Sequence, residues 1–493
     1  MLEWMPPLMF GGLLLFMLIG FPVAFSLAAV GLFFAAVSME FGFFTSHYLN
    51  ALPFRVFGIL SNDLLLAIPF FTFMGTILER CGLAEDLLEG TGQLFGPVPG
   101  GLAYAVIIVG AILGAITGTV AASVIAMGII SLPIMMRYGY DNRISTGVIA
   151  ASGTITQLIP PSLVLIVLAD QIGRSVGDMY KGAIGPSILQ VLLFVAFIFL
   201  VSIFKPSAVP PLPPEARTQH GWQLIRRVLW GMIPSIVLIF LVLGTIFLGL
   251  ATPTEAGAMG VVGAMALAAM HGRLTWPLVR EGMASTMTIT SMVVFILIGS
   301  TVFSLVFQGV DGSRWLEHLL SHVPGGPTGF LIFVNIFIFF LAFFLDFFEI
   351  AFIIVPLLAP VAAKLGIDLV WFGVLLCVNM QTSFMHPPFG FALFYLRGIA
   401  PMEVKSSEIY YGAIPWVFLQ LILVAVVIFW PQSVTYWLDT EPQVDLNTIK
   451  IETPALPGLP GQIGLPPLQP GSGNAPAMPA PPAIDLSKPP EVK

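Results

Sequence analysis

Between Ile144 and Ala169, and again between Val228 and Thr254, the chain carries no Asp, Glu, Lys or Arg. A run of about 20 such residues spans the hydrocarbon core of a bilayer as a helix, and only helices or closed barrels satisfy their own backbone there. Several further runs resemble these two. With 57% apolar and 9% charged residues, the chain cannot cover a water-exposed surface. The net charge of −7 is spread over loops and a carboxy-terminal tail, and no basic cluster points to nucleic acid. Cys81 and Cys377 are isolated, forming neither a metal or redox pair nor a disulfide framework. The stretch from Leu8 to Ser38 is too long for a signal-peptide core and lacks a basic start, so it reads as one retained helix.

Membrane segments are expected at roughly 8–38, 62–79, 100–136, 144–171, 180–204, 228–250, 255–271, 285–308, 328–363, 366–397 and 409–433. Segments 100–136 and 328–363 are too long for one crossing and carry Gly114, Gly118 or Asp346 near their middles. Each therefore reads as a re-entrant helical hairpin. With the amino terminus inside, eleven basic residues, among them Arg80, Arg137, Arg143, Lys205, Arg273 and Lys405, face the cytoplasm. Only Arg55, Arg174, Lys181, Arg314 and Lys364 face outward, which satisfies the positive-inside rule.

Shifting the chain by 227 positions places Pro133 on Pro360, Gly139 on Gly366, Asp141 on Asp368 and Pro160-Pro161 on Pro387-Pro388 without a gap. With small length changes, Phe73-Met-Gly-Thr76 matches Leu297-Ile-Gly-Ser300 and Gly182-Ala-Ile184 matches Gly412-Ala-Ile414. In the topology above, segments 62–79 and 285–308 run in opposite directions, so the repeats are inverted. The fold class is an all-α polytopic membrane protein with two inverted repeats, each holding a re-entrant hairpin and a Pro-Pro-broken helix. The divisions are an N-terminal membrane segment 1–61, repeat 1 at 62–204, a cytoplasmic linker 205–227, scaffold helices 228–284, repeat 2 at 285–433, and a proline-rich, disordered periplasmic tail at 434–493.

Each proline removes a backbone donor, so carbonyls of the preceding turn lose their partners. Hydroxyls and amides stand just there, in Ser152-Gly-Thr-Ile-Thr-Gln157 and in Asn379-Met-Gln-Thr-Ser383. Such oxygens suit a hard cation, and the helix start beyond the break suits an anion. The alternative is a plain kink whose hydroxyls cap local backbone. Asp346 and Glu349 put two carboxyls at depth, where they are functional unless bonded to a neighbouring helix or exposed at a tip. Glu255 opens a helix, where capping explains it equally well. His386 is a proton relay or a structural hydrogen-bond donor, with no metal-ligand spacing around it. The absence of HExxH, GxSxG and Walker motifs argues against an intramembrane enzyme and against ATP hydrolysis.

Taken in order, Ile19-Gly-Phe-Pro-Val-Ala24, Gly153-Thr-Ile-Thr-Gln-Leu-Ile-Pro-Pro-Ser162, Ala251-Thr-Pro-Thr-Glu-Ala-Gly257 and Pro387-Pro-Phe-Gly390 resemble the large membrane subunit of tripartite ATP-independent periplasmic (TRAP) transporters, over residues 8–433. The resemblance implies sodium-coupled symport of an organic acid by an elevator in the bacterial inner membrane, with sodium as coupling ion and no other cofactor. It also implies two partners, a separate small four-helix membrane subunit and a soluble periplasmic substrate-binding protein. Proton coupling, or a channel working without a binding protein, stays open from the residues alone.

On this resemblance sodium is expected at Gly118, Ser152, Gly153, Thr154, Asp346, Asn379, Gln381, Thr382 and Ser383. Substrate is expected at Thr119, Ser123, Thr156, Gln157, Pro160, Pro161, Ser162, His386, Pro387, Pro388 and Gly390. Two departures, His386 before the second proline pair and the aromatic run Phe344-Leu-Asp-Phe-Phe348, suggest a more apolar or bulkier acid.

Overall fold

The computed structural model describes residues 2–438 except 118–119, 218–220, 322, 344 and 388–389, so most of the expected disordered tail lies outside the described residues. Among the described residues all regular structure is helical. Among those residues nine helices are long and apolar enough to cross a membrane, or ten if the bent run 46–60 and 63–80 counts as one.

The chain opens with α1 (Met5–Ile19) and α2 (Val23–Glu40), then a short α3 (Leu52–Leu60) and α4 (Asp63–Arg80). An amphipathic α5 (Leu83–Phe95) leads into the first hairpin, α6 (Gly101–Thr117) and α7 (Val120–Arg137). The first broken helix is α8 (Asn142–Thr154), a 3-10 turn (Ile155–Gln157) and α9 (Leu163–Ile172), followed by α10 (Val176–Phe204). After α11 (Gly221–Phe247) and α12 (Pro253–Met270) the order repeats: α13 (Trp276–Gly309), an amphipathic α14 (Gly312–Ser321), and hairpin arm α15 (Gly326–Leu341). The returning arm is α16 (Phe347–Glu349), a π turn (Ile350–Ile354) and α17 (Val355–Lys364). Then come the second broken helix, α18 (Leu369–Met380), a 3-10 turn (Gln381–Phe384) and α19 (Phe391–Ile399), and finally α20 (Ser406–Phe429) and α21 (Gln432–Thr435). The starts of α7 and α16, of α8 and α18, and the ends of α7 and α17 are each 227 positions apart, the offset read from the sequence.

Contacts fix the direction of each helix. At the start of α8, Asn142 donates to the Glu408 carboxylate at the start of α20 (3.4 Å), and Lys205 at the end of α10 pairs with Asp141 (3.7 Å). These ends define a first face. At the far end of α9, Asp170 accepts from Asn62 at the start of α4 (2.7 Å), which defines the second face. The second broken helix runs the other way: Ile172 at the end of α9 abuts Gly373 near the start of α18, whereas Cys377 near its end donates to the Gln157 carbonyl (3.3 Å). Both hairpins return to the face they leave. Gly110 and Gly114 of α6 meet Ser152 and Thr156, Val124 of α7 meets Gly153, and Lys364 at the end of α17 pairs with Glu317 of α14 (2.6 Å) at the second face.

One sequence expectation fails here. Residues 8–38 are two antiparallel helices, not one. Gly20 adopts a left-handed conformation (φ 93°) that only glycine enters readily, and Pro22 has no N–H to continue the ladder. A Cβ added at Gly12 would then lie 3.5 Å from the Phe34 ring across the pair. Because α2 packs parallel to α13, with Gly31 against Phe303 and Gly309 against Phe44, the chain reaches α3 on the second face after two crossings. Leu2 therefore shares a face with the end of α20, where the sequence reading put amino terminus and tail on opposite faces. A cysteine replacing Glu3 is expected to react with an impermeant reagent from the same side as one replacing Arg314, and from the opposite side to one replacing Lys405. Labelling of positions 3 and 314 from opposite sides would restore a single crossing. Cys81 and Cys377 are buried and give little background.

Candidate functional site

A cavity of about 310 Å³ lies where the hairpin tips and both helix breaks meet. Val120 and Ala121 come from the first tip and Asp346, Phe347 and Phe348 from the second. The first break adds Gln157, Leu163 and Val164; the second adds Phe384, Phe391 and Tyr395; and α13 closes the side with Ile289 and Met292. Asp346 is the one charged group among these lining residues, and no Lys, Arg or His joins it.

The breaks form as the prolines dictate. Pro160 and Pro161 supply no donors, so the chain leaves the helix, and the following α9 restarts on Ser162, whose hydroxyl donates to the Gln157 carbonyl and accepts from Leu165 N–H (3.4 Å). Hydroxyls before each break cap the turn above them: Thr154 donates to Ala151 O (2.8 Å), Thr156 to Gly153 O (2.9 Å), Thr382 to Asn379 O (2.7 Å) and Ser383 to Met380 O (2.6 Å). A donated proton leaves the oxygen lone pairs available, so capping and cation binding are compatible at one hydroxyl. Several buried acceptors have no donor at all, namely Ser152 Oγ, Gln157 Oε1, Asn335 Oδ1 and Asn379 Oδ1. Buried groups of this kind call for an ion or water.

Asp346 and Glu349 cap each other's backbone: Asp346 Oδ1 accepts from Glu349 N–H (2.9 Å) and Glu349 Oε2 accepts from Asp346 N–H (3.0 Å). Glu255 forms a similar capping box with Thr252, the structural alternative left open by the sequence. His386 departs from expectation. It is buried, neither ring nitrogen has a hydrogen-bond partner, and its ring lies 4.2 Å from Phe343 and 4.4 Å from Phe339 between centroids. The structural hydrogen bond expected of it is replaced by aromatic packing, because α15 carries phenylalanines where α6 carries Gly114.

Of the described residues among those expected for substrate, Gln157 alone lines the cavity, and of the described ones expected for the cation Asp346 alone does. Ser123, Thr156, Pro160, Pro161 and Ser162 are buried behind its wall, while Gly390 is the N-cap of α19. Pro387 and His386 sit on the second break, outside the lining. Gly118, Thr119 and Pro388 lie outside the described residues.

Sequence reasoning missed a buried amide network. Gln190 of α10 donates to Gln381 Oε1 (2.6 Å), and Gln420 of α20 donates both to that oxygen (3.4 Å) and to Thr154 Oγ1 (3.2 Å). The matched motifs Gly182-Ala-Ile and Gly412-Ala-Ile make Gln190 and Gln420 repeat mates, and Thr154 and Gln381 are mates at the 227 offset. The network thus joins the two repeats at their shared centre. The signal was present in the sequence as one glutamine eight residues beyond each glycine of that motif.

The family model described as "Tripartite ATP-independent periplasmic transporter, DctM component" matches residues 10–433. The chain is 28% identical to the C4-dicarboxylate TRAP transporter large permease protein DctM of Pseudomonas aeruginosa, over 79% of this chain and 89% of the relative. It is 29% identical to the protein of that name in Rhodobacter capsulatus, over 86% and 96%. It is 26% identical to the sialic acid TRAP transporter permease protein SiaT of Haemophilus influenzae, over 86% and 66%. Among solved structures, the Alcanivorax borkumensis YdaH transporter, described as having an unusual topology, aligns with TM-score 0.54 and 16% identity over 78% of this chain and 88% of that one, a likeness of fold.

Proposed function

The chain belongs to the tripartite ATP-independent periplasmic transporter DctM-component family, a multi-pass transporter subunit of the bacterial inner membrane, and from that premise we propose that it carries an organic acid through the cavity at the hairpin tips together with sodium ions. One observation carries this reading: the cavity holds the Asp346 carboxylate and Gln157 but no basic side chain. Two like charges 4 Å apart repel by about 4 kcal/mol at an effective dielectric of about 20. An organic anion therefore enters beside Asp346 only with compensating cations. The orphaned oxygens at Ser152 and Asn379 stand at mate positions, and the capping hydroxyls at Thr154 and Thr382 stand beside the same two breaks, which suits one cation per repeat. Four phenylalanines in the lining favour an acid with an apolar body over a fully polar one.

The hairpins and broken helices form the sliding unit of an elevator, with α4, α12 and α13 in the scaffold. Basic residues concentrate on the first face, which is cytoplasmic under the positive-inside rule; the second face is periplasmic, where a substrate-binding protein docks. A separate small four-helix membrane subunit completes the scaffold.

The test is uptake into vesicles holding this chain with the small subunit encoded beside it, fed by the cognate binding protein. Organic acids should accumulate only with an inward sodium gradient. Accumulation that follows a pH gradient and ignores sodium would transfer the coupling to protons, with Asp346 as carrier, and accumulation without the binding protein would remove the tripartite assignment. At finer grain, Thr382→Val and Thr154→Val each keep side-chain volume but remove an oxygen. Each is expected to raise the sodium concentration for half-maximal uptake roughly tenfold, the equivalent of about 1.4 kcal/mol. Unchanged sodium dependence in both would take these hydroxyls out of the cation sites.

A further inference from the structure

A groove of about 340 Å³ opens beside the second hairpin, and no side chain lining it carries a charge, amide or hydroxyl. Its near wall is α1 from Pro7 to Met17, its top is Trp315 and Leu319 of α14, and its far wall comes from both arms of the second hairpin, including Phe337 and Ile354. An apolar void of this size left empty forfeits dispersion contacts along its whole lining, and water gains nothing by entering. Something apolar fills it.

The dimensions and the charges select the occupant. From Pro7 to Met17 a helix rises about 15 Å, which is one leaflet of a hydrocarbon core about 30 Å thick. The groove starts at the second face under Trp315, an aromatic of the kind that marks the headgroup level. Beside it Arg314 has a side chain 83% exposed and only a loose partner in Asp311 at 3.9 Å, whereas the neighbouring Lys364 is held by Glu317 at 2.6 Å. The void also reaches the α1 backbone, since a Cβ placed on Gly11 would find nothing within 4 Å. We propose that the groove binds one acyl chain of an anionic phospholipid of the second-face leaflet, with the lipid phosphate at Arg314.

The site itself does not depend on the cargo or the coupling ion. Its consequence rests on the sliding reading above: the chain wedges between α1 and the second hairpin, and hairpin movement must displace it.

The full-length protein, purified and examined by native mass spectrometry after exchange into phosphatidylglycerol or phosphatidylcholine, provides the test. The unmodified protein should retain a tightly held phosphatidylglycerol. Gly11→Leu, which fills open space on a helix and should fold normally, is expected to lose that lipid at least tenfold at an unchanged melting temperature. Arg314→Ala should keep a lipid but lose the preference for phosphatidylglycerol. Equal lipid retention in Gly11→Leu and the unmodified protein would overturn the site, and so would a photoreactive residue at position 11 that captures the small subunit in place of lipid. Because lipid is read directly, failure of the uptake assay leaves this result unaffected.

Discussion

Asp346→Asn is expected to leave the protein folded and inserted while lowering sodium-driven uptake by well over tenfold. The two halves of this expectation come from two roles of one carboxylate. As the N-cap of the returning hairpin arm, Asp346 accepts the Glu349 N–H at 2.9 Å, and asparagine caps a helix as well as aspartate does. As the charge in the cavity it balances cations, and asparagine cannot do that. At an effective dielectric of about 20, loss of a unit charge about 4 Å from a cation removes about 4 kcal/mol of attraction, which is more than two factors of ten in affinity. Asp346→Ala loses both roles and should lower the melting temperature as well, while Glu349→Gln preserves the reciprocal cap and serves as the control. The measurements are melting temperature in detergent and initial uptake rate against sodium. Uptake by Asp346→Asn equal to that of the unmodified protein would reduce Asp346 to a helix cap.

The repeat, the two breaks and both hairpins were legible because each leaves a mark in residue type: charge-free runs, proline pairs, and a fixed offset that survives without gaps. The site was legible only in outline. Hydroxyls before the prolines announced freed carbonyls, yet sequence alone does not say that Thr156 and Ser162 turn behind the cavity wall while Tyr395 turns into it; for Tyr395 the rotation of α19 after the break is set by packing against α7 and α8. Gln190 and Gln420 were passed over for a related reason. Each is a lone amide in an otherwise apolar helix, and its partner lies on a different element, 191 residues away for Gln190. The misreading of 8–38 has a local cause: Gly20 and Pro22 fall inside an unbroken apolar run, where hydropathy gives no boundary and only the left-handed backbone at Gly20 reveals one. The π turn at Ile350–Ile354 left no mark in the sequence, and it places the Phe352 carbonyl where Ser300 of α13 donates to it at 2.6 Å.

Gly147→Ala and Gly412→Ala are each expected to lower the melting temperature sharply and to abolish uptake, although each adds only one methyl group. These glycines lie where α8 crosses α20. A methyl group on Gly147 would overlap the Gly412 carbonyl oxygen, and one on Gly412 would overlap the Arg143 carbonyl oxygen, so the obstacle in both cases is backbone and cannot rotate away. Small residues permit such close crossings in membranes, where dispersion and hydrogen bonding replace the hydrophobic effect as the driving force. Forcing the helices apart should cost at the upper end of the about 1–3 kcal/mol seen for overpacked cores. The same displacement would stretch the Gln420 to Thr154 hydrogen bond, 3.2 Å long and two turns further along, so the damage reaches the first break. The mate crossing supplies the internal control. At Gly182 of α10 the neighbours of an added methyl would all be side chains, Val434 at 3.0 Å, Val370 at 3.1 Å and Val374 at 3.5 Å, which can yield by a few tenths of an ångström where a carbonyl cannot. Gly182→Ala should therefore be tolerated better than either α8–α20 substitution. Equal losses at all three positions would mean that chain flexibility at glycine, and not the closeness of the α8–α20 crossing, holds the two repeats together.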